Sequence, residues 1–324
     1  LIRAFHGIGV AAYAPGNNTL IVDWSPIRQR GEVIGYMSLI NPIGLTIGPV
    51  IGTFLQEQVG YVPLFVFSVG LGLIGFLFAY QVKDPSILHQ LDRQNSNLKS
   101  SPDSVDDQKN RFWKMLDSPR VWVPTLVLLL TGLIRGTVTT FIALYLKQTE
   151  LDLNVGWFYT ATAVSSVGIR LLTGYASDRY GRGLFITVSL GCYALGTLLL
   201  SLAQNTGDFL LAGFFEGAGG GTLIPLMVAL ISNRSYPHER GRVFSLCIGG
   251  FDLGLAISGP VFGTFAQKLG YQGIFSLCLG FALLALIIFM TRNGQNLRYS
   301  LRFATGFARD SYALPSELKI ESRE

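Results

Sequence analysis

Apolar residues gather along this chain in long blocks. Nine blocks are helix-length, at roughly 1–24, 33–56, 61–82, 121–146, 155–177, 184–204, 208–231, 243–268 and 271–291. Each approaches or exceeds the roughly 18 apolar residues that let a helix cross a hydrocarbon core of about 30 Å. Ser25-Pro26, Asp84-Pro85, Ser118-Pro119 and Tyr236-Pro237 punctuate their ends. Glycine and proline inside the blocks do not argue against helices, because packed membrane helices tolerate both. The pattern predicts an all-α integral membrane bundle with about nine transmembrane helices. Two segments differ. Residues 83–118 are polar and rich in Ser, Asp, Asn and Gln, and residues 292–324 form a basic, irregular tail; both read as loop or partly disordered.

Charge gives the bundle an orientation. Of 25 Lys and Arg, twenty fall in the tail and in one alternating set of connections, two (Lys147 and Lys268) in the opposite set, and three inside spans. The positive-inside rule then makes the 83–118 loop and the C-terminus cytoplasmic. Charged residues are 14% of the 324 and hydrophobic ones 49%, against roughly 25% charged in a soluble domain, so a soluble enzyme is excluded. The net charge of +5 sits beside apolar segments, which favours an anionic membrane surface as partner over nucleic acid. Cys192, Cys247 and Cys278 all lie in apolar runs without a C-x-x-C pair. They read as small core residues, neither disulfide framework nor zinc site.

An internal repeat organises the spans. Gly7-Ile8-Gly9 with Pro15 matches Gly217-Ala218-Gly219 with Pro225; Pro26, Arg30 and Gly31 match Pro237, Arg240 and Gly241. Gly48-Pro49-Val50-Ile51-Gly52-Thr53-Phe54 matches Gly259-Pro260-Val261-Phe262-Gly263-Thr264-Phe265. Spans one to three thus repeat as spans seven to nine, while spans four to six have no counterpart. Two-fold symmetry of this kind predicts three further helices, on the order of 90 residues, ahead of Leu1. The expected organisation is the last three helices of an N-terminal half (1–82), a polar cytoplasmic loop (83–118), a six-helix C-terminal half (119–291) and a basic cytoplasmic tail (292–324).

Two six-helix halves with a long cytoplasmic connection resemble the major facilitator superfamily, and local motifs agree. Gly174-Tyr175-Ala176-Ser177-Asp178-Arg179-Tyr180-Gly181-Arg182 resembles the family's G-x-L-A-D-R-x-G-R loop in its second-half copy. Arg3-Ala4-Phe5-His6-Gly7-Ile8-Gly9 resembles R-x-x-Q-G-x-G of helix four, with His6 in place of Gln. Gly35, Gly44, Gly48, Pro49 and Gly52 match the helix-five pattern that the family associates with proton-coupled antiporters, except that Thr53 replaces its last glycine. The resemblance covers nearly all of 1–291, as helices four to twelve. It implies that Asp178, Arg179 and Arg182 form a cytoplasmic latch that pairs in one conformation and releases in another; the alternative is that they fix topology and solvate a turn. For the helix-five glycines, plain close packing stands beside a role in blocking leaks. Helices four, seven and ten line the family's cavity, which makes Asn17, Thr139 and Tyr145 candidate substrate contacts.

Leaving aside His6 and the outermost residues at span ends, five fully ionisable residues stand inside the predicted spans: Arg3, Arg135, Arg170, Glu216 and Asp252. Each costs roughly 2.5–3.5 kcal/mol at a helix centre, so such residues pair or line an aqueous cavity. At about 1.5 Å per residue, Arg135 and Glu216 both lie roughly 9–12 Å from the outer face, and Arg170 and Asp252 roughly 10–14 Å from the cytoplasmic face. Equal depth predicts two pairs, Arg135–Glu216 and Arg170–Asp252. Glu216, Asp252 and His6, which the repeat places opposite Glu216, are the proton-coupling candidates. Static ion pairing is the alternative, Arg170 serving instead as a partner of the Asp178 loop, and Arg135 instead neutralising an anionic substrate.

No G-x-x-x-x-G-K-S/T loop is present for nucleotide. The run Gly217, Gly219, Gly220, Gly221 lies inside an apolar span and reads as helix packing. His89 and His238 are isolated and suggest no metal. No cofactor is expected; energy comes from a proton or solute gradient. These features predict a carrier of a small molecule in the bacterial cytoplasmic (inner) membrane, monomeric, exporting in exchange for protons by alternating access. Proton-linked uptake, facilitated diffusion, and a non-transporting sensor, scaffold or truncated gene product are the competing readings. A membrane enzyme lacks a catalytic cluster.

Overall fold

The computed structural model describes residues 58–82, 118–149, 151, 153–235 and 240–313, with scattered helical positions between 9 and 55. The chain divides into two compact units, residues 1–110 and 111–324. In the first, α1 spans Tyr61–Gln81 and is apolar on every side, with none of its residues buried against protein. A helix apolar all round is stable only inside a core or a bilayer. Most of spans 1–24 and 33–56, and residues 83–117 of the polar loop, lie outside the described residues.

The second unit is a helical bundle. Its helices are α2 (Pro119–Gln148), α3 (Val155–Tyr180), α4 (Arg182–Leu202), α5 (Thr206–Arg234), α6 (Arg240–Arg292) and α7 (Leu297–Ala304). Local signals set the ends. Pro119 occupies the first turn of α2, where its missing N–H costs no helical bond. Asn154 caps α3 by accepting from the Gly156 N–H at 2.8 Å. Asn205 and Asp208 form a reciprocal capping box on α5. The two predicted spans at 243–268 and 271–291 are joined in α6, whose helix breaks only at Gly270 (φ 69°, ψ 176°). Among the described residues, α1, α2, α4, α5 and α6 are long and apolar enough to cross a membrane. α3 is long enough, at 26 residues, but Thr160, Thr162, Ser165, Ser166 and Arg170 make it the more polar helix.

α5 packs between α3 and α4, and α6 packs on α2 and α4. Glycines allow the tightest of these contacts. Gly213, Gly217 and Gly221 recur every four residues on α5 and face Phe158, Thr162 and Ser166, which recur likewise on α3. A Cβ on Gly217 or Gly221 would overlap the facing backbone, so the glycine run is a helix–helix seam, with i±4 rows of both helices in register. Phe158, Tyr193, Phe209, Phe262, Phe275 and Phe289 fill the interior.

The tail departs from the expectation of an irregular loop. α7 folds back onto the bundle, burying Ser300, Phe303 and Ala304, and Thr187 of α4 donates to the Ala304 carbonyl at 2.9 Å. Arg234, one of the twenty basic residues that the sequence places in the connections and tail, is buried and holds Asp310 through two hydrogen bonds of 2.7 and 2.8 Å. The sequence pattern missed α7 because it is only eight residues long and its periodicity is too short to stand out.

Candidate functional site

Arg135 of α2 and Glu216 of α5 meet inside the bundle. Arg135 Nη1 donates to both Glu216 carboxylate oxygens at 2.5 Å. The Glu216 side chain is 1% exposed and that of Arg135 21%, so the carboxylate is sealed while the arginine side chain is only partly covered. Taking two charges out of water is costly, and the pair holds because each neutralises the other where neither can be hydrated.

Further polar groups lie near the pair. A Cβ on Gly220 would lie 2.9 Å from the Tyr193 hydroxyl and 3.8 Å from Arg135 Nη1, so both groups border the same glycine. One turn beyond Arg135, Thr139 is exposed; its hydroxyl donates to the Arg135 carbonyl at 3.0 Å. The Tyr159 hydroxyl reaches the Thr139 carbonyl at 3.5 Å. Tyr159 and Tyr193 went unnoticed in the sequence, because tyrosines in apolar spans carry no depth or charge signal that separates them from core.

The second expected pair does not form. Arg170 donates from Nε to the Gly221 carbonyl of α5, whereas Asp252 is exposed on α6 and makes no ion pair among the described residues. Depth matched, but azimuth did not: α3 faces α5, and α6 faces α2 and α4. Tyr145, a candidate substrate contact, sits in the interior. It is buried against Phe209, Tyr271 and Phe275, and its hydroxyl donates to the Ala203 carbonyl at 3.3 Å. A separate cleft of about 430 Å³ opens between α2 and α6 near Phe141, Gln148 and Tyr271, away from the charge pair.

The loop motif has a clear backbone basis. Gly181 ends α3 and begins α4 at φ 92°, ψ 136°, a conformation that favours glycine. Arg182 then donates from Nη1 to the Ala229 carbonyl of α5 at 2.6 Å, tying the α3–α4 turn to the last turns of α5. The Gly174, Asp178 and Arg179 side chains lie outside the described residues, as do Arg3, His6, Asn17, Gly35 and Pro49. Gly44, Gly48 and Gly52 are helical.

Helices of membrane-crossing length, packed through glycine seams around a buried ion pair, define a polytopic membrane protein. The sequence profile of the Major Facilitator Superfamily matches residues 1–208 and, in a second overlapping match, 153–304; the chain belongs to that superfamily, which consists of transporters rather than enzymes, and is itself a secondary transporter of small molecules. It is 24% identical over 282 residues to the MFS-type transporter STM4428 of Salmonella typhimurium, covering 87% of this chain and 68% of that protein. It is 24% identical over 290 residues to multidrug resistance protein MdtG of the same species, covering 87% and 69%. A triacylglyceride transporter of Mycolicibacterium hassiacum is 38% identical over 120 residues, covering 36% of this chain and 22% of that protein.

Proposed function

We propose that the protein exports a small, chemically undemanding range of solutes across the bacterial cytoplasmic membrane in exchange for protons, by alternating access, with its C-terminus cytoplasmic and as a monomer. The observation that carries the coupling is the Arg135–Glu216 pair, a carboxylate 1% exposed whose counter-ion side chain is 21% exposed. In the state described here the guanidinium pairs with the Glu216 carboxylate. A rearrangement that draws Arg135 away, toward a substrate or water, leaves a buried carboxylate without its counter-ion, an arrangement in which burial favours the neutral form of a carboxyl group. Asp252, exposed on α6, and His6 are the further proton-carrying candidates. Thr139 and Asn17 serve as substrate contacts, and Asp178, Arg179 and Arg182 as the latch. The export direction is supported by the relatives named for multidrug resistance and by the helix-five motif.

The test is dye flux in proteoliposomes under an imposed pH gradient. Inward proton movement coupled to dye movement in the opposite direction is expected, and Glu216→Gln should abolish the response to the gradient while dye binding persists. Dye and protons moving together would identify an uptake carrier, and no flux of any panel solute would favour a sensor or scaffold.

A further inference from the structure

The segment after the last span is anchored on one side and left open on the other. Arg234 clamps Asp310, with the Phe303 and Tyr312 rings 5.9 and 5.3 Å from the guanidinium carbon. The Tyr299 hydroxyl donates to the Arg309 carbonyl at 3.0 Å, pinning the turn that follows α7. Around α7, at about 100° per residue, the buried face of Ser300, Phe303 and Ala304 gives way first to Leu297 and Leu301 and then to Arg298 and Arg302. These four are exposed, as is Phe307 at 78%. Arg292 and Arg309 flank them and are exposed too. Asp310 is the sole acid between 292 and 313, and Arg234 holds it. None of the four arginines is in an ion pair among the described residues.

We propose that α7 and the turn after it form a binding surface for anionic phospholipid, with Arg298 and Arg302 pairing with headgroup phosphates and Leu297, Leu301 and Phe307 entering the acyl boundary. Position supports this: α6 ends its apolar limb at Arg292, and α7 begins at Leu297, so α7 starts where the span leaves the hydrocarbon. A helix with one apolar and one basic stripe is the form that lies in a charged membrane interface. A free phosphate would leave the three apolar side chains in water. A second copy would set four arginines against four. The inference rests on membrane insertion of α6 and not on what is carried.

Native mass spectrometry of the full chain, loaded from an equimolar mixture of phosphatidylglycerol and phosphatidylcholine, tests it. Each arginine near an anionic surface contributes roughly a fivefold preference at low salt, so the wild type should retain several times more phosphatidylglycerol. The R298Q/R302Q variant should lose most of that preference, and R298K/R302K should keep it. Both positions are exposed, and thermal unfolding confirms that each variant is folded. The proposal is overturned if the wild type shows no preference, or if R298Q/R302Q keeps it. It is equally overturned if inorganic phosphate displaces the lipid, which marks a free-anion site, or if the variant shifts a dimer to monomer, which marks a second copy as the occupant.

Discussion

Arg170 of α3 donates to the carbonyl of Gly221 on α5, the backbone acceptor that the helix itself cannot serve. In an α-helix that carbonyl bonds to the N–H four residues on, and position 225 is proline, which has no N–H. Arg170 also continues the row Phe158, Thr162, Ser166 at the same four-residue interval, one step past the glycine seam. The intramembrane charge thus repairs a proline defect in the neighbouring helix.

That repair predicts coupling between positions 170 and 225. Arg170→Met should destabilise the protein by about 1–3 kcal/mol by leaving an acceptor unsatisfied. With Pro225→Ala restoring an N–H, the same change should cost measurably less. Thermal unfolding of both singles and the double in detergent reads the cycle; strictly additive effects would assign Arg170 another role.

Removing one member of the Arg135–Glu216 pair leaves a buried charge alone. Arg135→Gln should cost about 3–5 kcal/mol, more than the double Arg135→Gln/Glu216→Gln, in which neither charge remains. If both single Ala variants abolish transport and the double does no better than either, charge compensation alone does not explain the pair.

Gly181→Ala places a side chain at φ 92°. A cost of about 1–3 kcal/mol is expected from backbone strain, since nothing within 4 Å blocks a Cβ there. Unfolding temperature should fall without loss of the neighbouring Arg182–Ala229 tie, which crosslinking between cysteines placed on α4 and α5 would report.

Gly217→Val drives a side chain into the Thr162 backbone. Overpacking of this kind costs about 1–3 kcal/mol or more. Gly168→Ala on α3, where a Cβ meets nothing within 4 Å, is the matched control and should leave the melting curve in place.

Tyr145→Phe separates core from substrate contact. Loss of the 3.3 Å bond to Ala203 should cost about 0.5–1.5 kcal/mol of stability with KM for any carried solute unchanged. A KM shift at constant stability would identify Tyr145 as a substrate contact.

The Arg135–Glu216 contact was legible because depth along a helix follows from counting residues, and two opposite charges at one depth in lipid have strong reason to meet. The same count brought Arg170 and Asp252 to one level and failed, because counting carries no information about which way a helix is turned. Pro225 held the missing clue, an orphan carbonyl whose partner no linear pattern names.

The positions of the described spans, the caps that end them and the glycine seam on α5 are local properties of length, apolarity and residue size, and the sequence alone determined them. The neighbours of each helix, the burial of Arg234 against Asp310 and the docking of α7 were decided only by the tertiary structure. They depend on which faces of separate helices close on one another, and that choice is made jointly by residues far apart in the chain.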